Sequence, residues 1–276
     1  MVNVIWGATP SIKNIYKQIK NESELVYFVD NDKNKWGKKL FDEDIISPSE
    51  LTKKKFDKIY ILSTSAMDAI KQQIINMGID DNKIDVSYVE IKVKARINFL
   101  KNFSEVIHKY KMGGCVAEAG VFQGEYAKEI NACFPDKSLY LFDTFEGFDI
   151  RDVIVEHVKR YSDVEEGHLG ITSEELVIGK MKYPEKCIIK KGYFPETASD
   201  VEEVFCFVSL DLDLYNPTIA GLKFFWEKMV PGGIIIVHDY FTEGYLGIAD
   251  AVDEFAKEYN VIPFPIGDTI SIALKK

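Results

Sequence analysis

The chain has 276 residues, of which 46 % are hydrophobic and 28 % charged. That is ordinary globular composition and excludes disordered, collagen-like and long coiled-coil classes. Its 34 basic and 44 acidic side chains leave a formal net charge of −10, which argues against nucleic acid as the main partner. At roughly 150 residues per domain, the length predicts one or two domains with full cores. Cys115, Cys133, Cys187 and Cys206 form neither a CxxC pair nor a zinc-spaced cluster. The opening MVNVIWGATP has no basic segment followed by an apolar run. No apolar stretch approaches the roughly 20 residues that span a bilayer. A cytoplasmic protein with reduced thiols is expected.

The first part alternates strand and helix patterns. Val2–Trp6 is an apolar run ending at Gly7, and Ile12, Ile15, Tyr16 and Ile19 follow at helical spacing. LVYFV (25–29) closes on Asp30-Asn-Asp32, Ser47-Pro48 starts a helix, IYIL (59–62) is a third strand, and a helix over 66–77 stops at Gly78. The pattern predicts a small open α/β domain over residues 1–90 with about three parallel strands. Its first strand–helix turn carries one glycine, where a dinucleotide fingerprint has three. Asp30 is the one candidate there for a ribose contact. The stretch FVDNDKNKWGKKLFDEDIISPSEL resembles the Rossmann-like domain attached to polysaccharide-biosynthesis enzymes, which implies a scaffold or dimerisation role.

Ile97, Leu100, Phe103, Ile107 and Tyr110 recur at helical spacing, so residues 91–110 read as a linking helix with one buried face. A second α/β domain is expected over 111–276. CVAEA (115–119) is a strand followed by Gly120-Val-Phe-Gln-Gly124 and a helix. Glycines there let a ligand approach the backbone and the helix N-terminus. Glu118 lies at the strand's carboxyl end, where open α/β sheets bind ligands, and a carboxylate there suits a cationic group. The next strands end in Asp143-Thr144, in Gly192-Tyr193, in Asp211-Leu-Asp213 and in His238-Asp239. Polar strand ends gathered at one sheet edge imply a polar ligand site. Asp213 is expected on the opposite face from Asp211, provided the strand persists. Residues 148–183 are the least regular. Thr172-Ser-Glu-Glu175 reads as a capping box, and Arg151 and Arg160 are candidates for a phosphate on an activated sugar.

The segments VAEAGVFQGEYAKEI, LFDTFEGF, GYFPET, VSLDLDLYNPTIAGLKFFWEKMVPGGIIIVHDY and AVDEF together resemble class I S-adenosylmethionine-dependent methyltransferases. More narrowly they resemble the macrocin O-methyltransferase family, which methylates sugar hydroxyls. The resemblance covers about three-fifths of the chain and implies a seven-stranded, mostly parallel Rossmann-like sheet. It implies that Glu118, Gly120 and Gly124 hold the methionine part of S-adenosylmethionine and that Asp143, with Thr144, meets the ribose. Gly192 and Tyr193 would flank the adenine. Asp211, His238 and Asp239 match the catalytic and metal positions. In relatives the last two are both aspartates that bind magnesium, so His238 departs from the pattern. Mg²⁺ or another divalent metal, or no metal with His238 as general base, all remain open at this point. Residues 148–183 would form a substrate lid.

The reading that results is a sugar O-methyltransferase of surface-glycan or secondary-metabolite biosynthesis. Its partner is a small-molecule or glycan-precursor acceptor, and the oligomeric state is open. The alternatives are a methyltransferase for a non-sugar acceptor and a non-catalytic nucleotide- or nucleotide-sugar-binding module.

Overall fold

A computed structural model describes the whole chain except Thr64, Ser65 and Glu243. The described residues divide into two compact units, Met1–Val93 and Lys94–Lys276. Unit 1 has as many acidic as basic side chains, so the whole net charge of −10 resides on unit 2.

Unit 1 contains β1 (Val2–Trp6), α1 (Lys13–Asn21), β2 (Leu25–Val29), β3 (Lys39–Leu40), β4 (Glu43–Ile46), α2 (Pro48–Leu51), β5 (Lys58–Ile61), α3 (Met67–Asn76) and β6 (Ile84–Asp85). The sheet order is β3-β4-β2-β1-β5-β6. It therefore has six strands rather than about three. The three additions are two to four residues long, too short for an alternation pattern to reveal. Residues on alternate sides of β1 enter different cores: Val4 and Trp6 join Ile59, Ile61 and Ile74, and Ile5 joins Phe28, Tyr16 and Ile19. Ser47 and Glu50 form a capping box at α2.

The β1–α1 turn of unit 1 is satisfied from within. Asp30 Oδ2 accepts from Ala8 N at 2.8 Å and pairs with Lys35 Nζ at 2.9 Å, while Oδ1 accepts from Asp32 N at 2.8 Å. Asp30 is a structural cap of that turn. A pyrophosphate would have to displace its carboxylate from the Ala8 amide.

Helix α4 (Ser87–Lys109) runs from unit 1 into unit 2. Unit 2 continues with β7 (Cys115–Ala119), α5 (Glu125–Cys133), β8 (Leu139–Asp143), α6 (Ile150–Lys159), α7 (Glu174–Ile178), β9 (Cys187–Lys191), β10 (Phe205–Leu210), α8 (Tyr215–Lys228), β11 (Met229–Val237), α9 (Leu246–Tyr259), β12 (Phe264–Pro265) and β13 (Ile272–Lys275). The seven strands lie in the order β12-β13-β11-β10-β7-β8-β9, and β13 alone runs against the rest, pairing antiparallel with both β11 and β12. Period-two alternation gives the sheet two apolar faces. Ala117, Phe142, Val208, Leu210 and Val237 pack on one side with Leu222 and Phe225 of α8. Val116, Leu141, Phe207 and Ile236 pack on the other with Leu100 and Ile107 of α4 and with Ile130 of α5. Burial on both faces explains the near-continuous apolar runs of these strands.

Residues 148–183 contain two helices. The N-cap of α7 is Ser173, whose hydroxyl accepts from Leu176 N at 3.1 Å, one residue later than the capping box predicts. Thr172 donates its hydroxyl to the Phe122 carbonyl instead. No helix among the described residues is long and apolar enough to cross a membrane.

Candidate functional site

The carboxyl ends of the parallel strands in unit 2 border an open cleft. Of the residues predicted from sequence, Gly120, Asp143, Thr144, Gly192, Tyr193 and Asp211 line it. Asp149, Asp152 and Asp213 add carboxylates, and Phe122 and Phe148 add aromatic surface. Glu118, Gly124, His238 and Asp239 lie outside that lining. His238 and Asp239 join it through Asp211.

Gly120 ends β7, where its amide donates to the Phe142 carbonyl at 2.9 Å and the Asp211 amide donates to Ala119 at 2.8 Å. The turn needs φ +82° at Gly120, a left-handed conformation that glycine adopts without penalty. Gly124 (φ +78°) is the N-cap of α5.

Asp143 clamps the loop that follows Gly120. Its Oδ2 accepts from the amides of Val121 and Phe122 at 2.7 and 2.9 Å, and Oδ1 accepts from Phe145 N at 2.7 Å. One lone pair of Oδ1 is left for a ligand hydroxyl. Thr144 donates to the Gly147 carbonyl at 2.7 Å and so shapes the turn. Tyr193 donates to Asp152 Oδ1 at 2.9 Å, and the Arg151 guanidinium stacks 3.6 Å over its ring. Arg151 is held by Asp149 at 2.8 Å and by Glu196 at 2.9 Å. Arg160 is the left-handed C-cap of α6.

The acidic end of the cleft is organised by a residue that sequence reading missed. Arg96 lies one helical turn before Leu100 on the buried face of α4. It donates to Asp211 Oδ2 at 3.0 Å and to Ser209 Oγ at 2.9 Å, and stacks 3.9 Å over the Tyr126 ring. Its place at i−4 from Leu100, on an otherwise apolar stripe, was the available signal. Across the sheet Leu141, Glu118 and Ser209 share one register row, so Glu118 and Ser209 are polar residues set in an apolar face. Glu118 is 2 % exposed and its Oε2 has no hydrogen-bond partner.

Burial is the largest influence on Glu118 and raises its pKa well above the ordinary value; Asp211 and Asp143 add to this and Arg96 opposes it. A raised acid favours the fold at low pH, and that stability is lost as pH rises through the raised value. Glu118→Gln in the ligand-free chain should therefore match the parent near pH 4. It should be more stable by about 1–3 kcal/mol at pH 8, read from the urea transition of unit 2. Equal stability at pH 8 would show that the buried carboxylate is tolerated as an anion.

Strand β10 ends at Leu210. Asp213 then adopts φ +60° and lines the cleft together with Asp211; residues two apart share a strand face, so the expected opposite-face placement does not hold. Burial, then Asp211 and Asp239, push its pKa well up. Burial would also raise Asp211 and Asp239, but His238 overrides it in both, helped at Asp211 by Arg96 and at Asp239 by Thr242, and both carboxyls lie below the ordinary range. For His238 burial alone would lower the pKa; the two carboxylates outweigh it and raise the value to about 10. The pairing of His238 with Asp211 and Asp239 thus favours the protonated imidazole.

The residues fit a divalent metal. One ligand atom each from Asp211, His238 and Asp239 lies within 4.8 Å of the others. The buried Nδ1 of His238 is 3.1 Å from Asp211 Oδ1 and 3.1 Å from Asp239 Oδ2, yet neither oxygen lies in line for a hydrogen bond. One imidazole nitrogen facing two carboxylate oxygens is a donor set for a cation.

Comparison with known proteins adds the following. A family model described as C2185-like, N-terminal, matches residues 2–85. No curated protein matches the chain. The structure of the O-methyltransferase NovP aligns with 66 % of this chain and 79 % of its own, at 20 % identity and a TM-score of 0.55. The calicheamicin methyltransferase CalS11 aligns with 82 % of this chain and 89 % of its own, at 16 % identity and a TM-score of 0.56. These likenesses are ones of architecture: the chain shares with both methyltransferases a Rossmann-like fold built on a mostly parallel seven-stranded sheet.

Proposed function

We propose that unit 2 is an S-adenosylmethionine-dependent O-methyltransferase acting on a sugar hydroxyl, in surface-glycan or secondary-metabolite biosynthesis. The observation that carries the reading is one continuous cleft, from Gly120 and Asp143 to Asp211 and Asp213, in a fold shared with two methyltransferases. Five aspartates in the lining suit a cationic ligand, and Phe122, Phe148 and Tyr193 suit a flat base. S-adenosylmethionine supplies an activated methyl group on a sulfonium when bound.

The chain's own residues then have distinct tasks. Glu118, Gly120 and Gly124 receive the methionine part, and Asp143 offers its remaining lone pair to the ribose. Tyr193, fixed by Asp152 and Arg151, packs beside the adenine. A sugar hydroxyl is a poor nucleophile at neutral pH, so its proton must leave during attack. Asp213, which lines the cleft outside the Asp211–His238–Asp239 cluster, is the base in its ionised form, which a cationic methyl donor or a metal beside it favours. Asp211, His238 and Asp239 would hold a divalent cation, which supplies Lewis acidity that lowers the pKa of the acceptor hydroxyl. The macrocin O-methyltransferase resemblance supports a sugar acceptor, as does the density of hydrogen-bond acceptors around Asp211.

Calorimetric titration of the full chain with S-adenosylhomocysteine tests the first half of the reading, and micromolar binding is expected. Methyl transfer from labelled S-adenosylmethionine to a panel of glycosides and nucleotide sugars tests the second. Asp213→Asn should lower turnover by about 10²–10⁴-fold and leave the S-adenosylhomocysteine Kd within about threefold. Absence of product-analogue binding would overturn the assignment. Binding without turnover on any acceptor would favour the non-catalytic module.

A further inference from the structure

The kind of cation can be read from how the three side chains are held, which deepens the metal-assisted reading and rests on it. Each carboxylate has one oxygen engaged by the protein and the other turned to His238. Asp211 Oδ2 accepts from Arg96 at 3.0 Å, leaving Oδ1 3.1 Å from His238 Nδ1. Asp239 Oδ1 accepts from Thr242 Oγ1 at 2.8 Å, leaving Oδ2 3.1 Å from the same nitrogen. Outer partners of this kind orient metal ligands and fix how many atoms each contributes. Arg96 and Thr242 therefore restrict both aspartates to a single oxygen.

The distances also match a coordination polyhedron. Neighbouring ligands around a six-coordinate ion with bonds of about 2.1 Å are about 3.0 Å apart. The two 3.1 Å separations from Nδ1 are edges of that length. By direction they are poor hydrogen bonds, so Nδ1 meets the two oxygens as an ion pair rather than through an aligned N–H.

Mg²⁺ favours an all-oxygen shell and keeps much of its water, whereas imidazole suits Mn²⁺ and the later first-row ions increasingly well. Ca²⁺ takes six to eight oxygens, and the two held carboxylates present two. We propose that Asp211, His238 and Asp239 form a one-nitrogen, two-oxygen site selective for a first-row transition-metal dication over Mg²⁺, with Arg96 and Thr242 setting the single-oxygen contact of each aspartate.

The test uses the full chain, stripped with EDTA and dialysed. Mn²⁺, Co²⁺ and Mg²⁺ are titrated separately by calorimetry, with the visible spectrum of Co²⁺ as a direct report of nitrogen ligation. S-adenosylhomocysteine is titrated in parallel. One equivalent of Mn²⁺ or Co²⁺ should bind at least tenfold more tightly than Mg²⁺. His238→Asp should reduce that preference at least tenfold. Thr242→Val should weaken Mn²⁺ by about three- to tenfold and leave S-adenosylhomocysteine binding unchanged. Equal affinity for Mg²⁺ and Mn²⁺ in the parent chain overturns the proposal, as does a preference that survives His238→Asp. No ion binding beside intact S-adenosylhomocysteine binding overturns it too and leaves the methyltransferase reading standing. Loss of S-adenosylhomocysteine binding in the parent chain would instead strike that reading itself.

Discussion

Gly120→Ala should destabilise unit 2 by about 4 kcal/mol or more, the largest effect expected of a single methyl group in this chain. An added Cβ would fall 2.5 Å from the Asp211 carbonyl carbon and closer still to its oxygen. The obstruction is main chain, so no rotamer change relieves it. The residue also sits at φ +82°, which adds strain for any L side chain. The two strands cannot part, because Gly120 and Asp211 are each tied to a neighbouring strand by an amide hydrogen bond. Urea denaturation of the full chain should show the unit 2 transition shifted or absent while that of unit 1 persists. A normal unit 2 transition would mean that the β7 and β10 ends separate more easily than their hydrogen bonds indicate.

The second large effect belongs to Arg96. Arg96→Met removes the guanidinium and leaves Asp211 and Glu118 without their compensating charge. Breaking a buried pair from one side costs about 3–5 kcal/mol. Asp211 has a depressed pKa, so its contribution is present above the ordinary carboxylate pKa and lost as pH falls through the depressed value. The Arg96→Met penalty should accordingly be full at pH 7 and shrink in acid, where Asp211 takes up a proton. Arg96→Lys should recover part of the loss, since it restores charge without the fork or the Tyr126 stack. A pH-independent penalty would point to lost packing alone.

These two residues also mark how far the sequence could be read. Gly120 was legible because a glycine between a strand and a helix has a stated mechanical purpose. The central strands were legible because they are apolar over five or six residues and bounded by turns. Arg96 was not singled out, since a charged residue on a helix reads first as a solvated one; only its spacing from Leu100, Phe103 and Ile107 betrays the buried face. The expected placement of Asp213 opposite Asp211 fails for a different reason. Residues two apart share a face of a strand, and the strand itself stops at Leu210, before either aspartate. Pro231-Gly-Gly interrupts the apolar run that precedes His238 and carries the residues of a turn. The strand instead runs from Met229 to Val237 through it, and the irregularity appears as a register shift against β10. Partners distant in sequence decide such points, and Arg96 and Asp211 are 115 residues apart.

The Asp143 clamp has a consequence for what the cleft admits. In many α/β proteins the amides of the first glycine loop are vacant donors, and a pyrophosphate docks on them. Here the amides of Val121 and Phe122 already serve a carboxylate belonging to the chain. An incoming phosphate would meet spent donors and a fixed negative charge, and would be repelled before its shape mattered. A sulfonium or ammonium group meets attraction at the same place. The loop is thus a filter by sign of charge, built in before any ligand arrives, and it turns a widespread nucleotide-phosphate cradle into an entrance for cations.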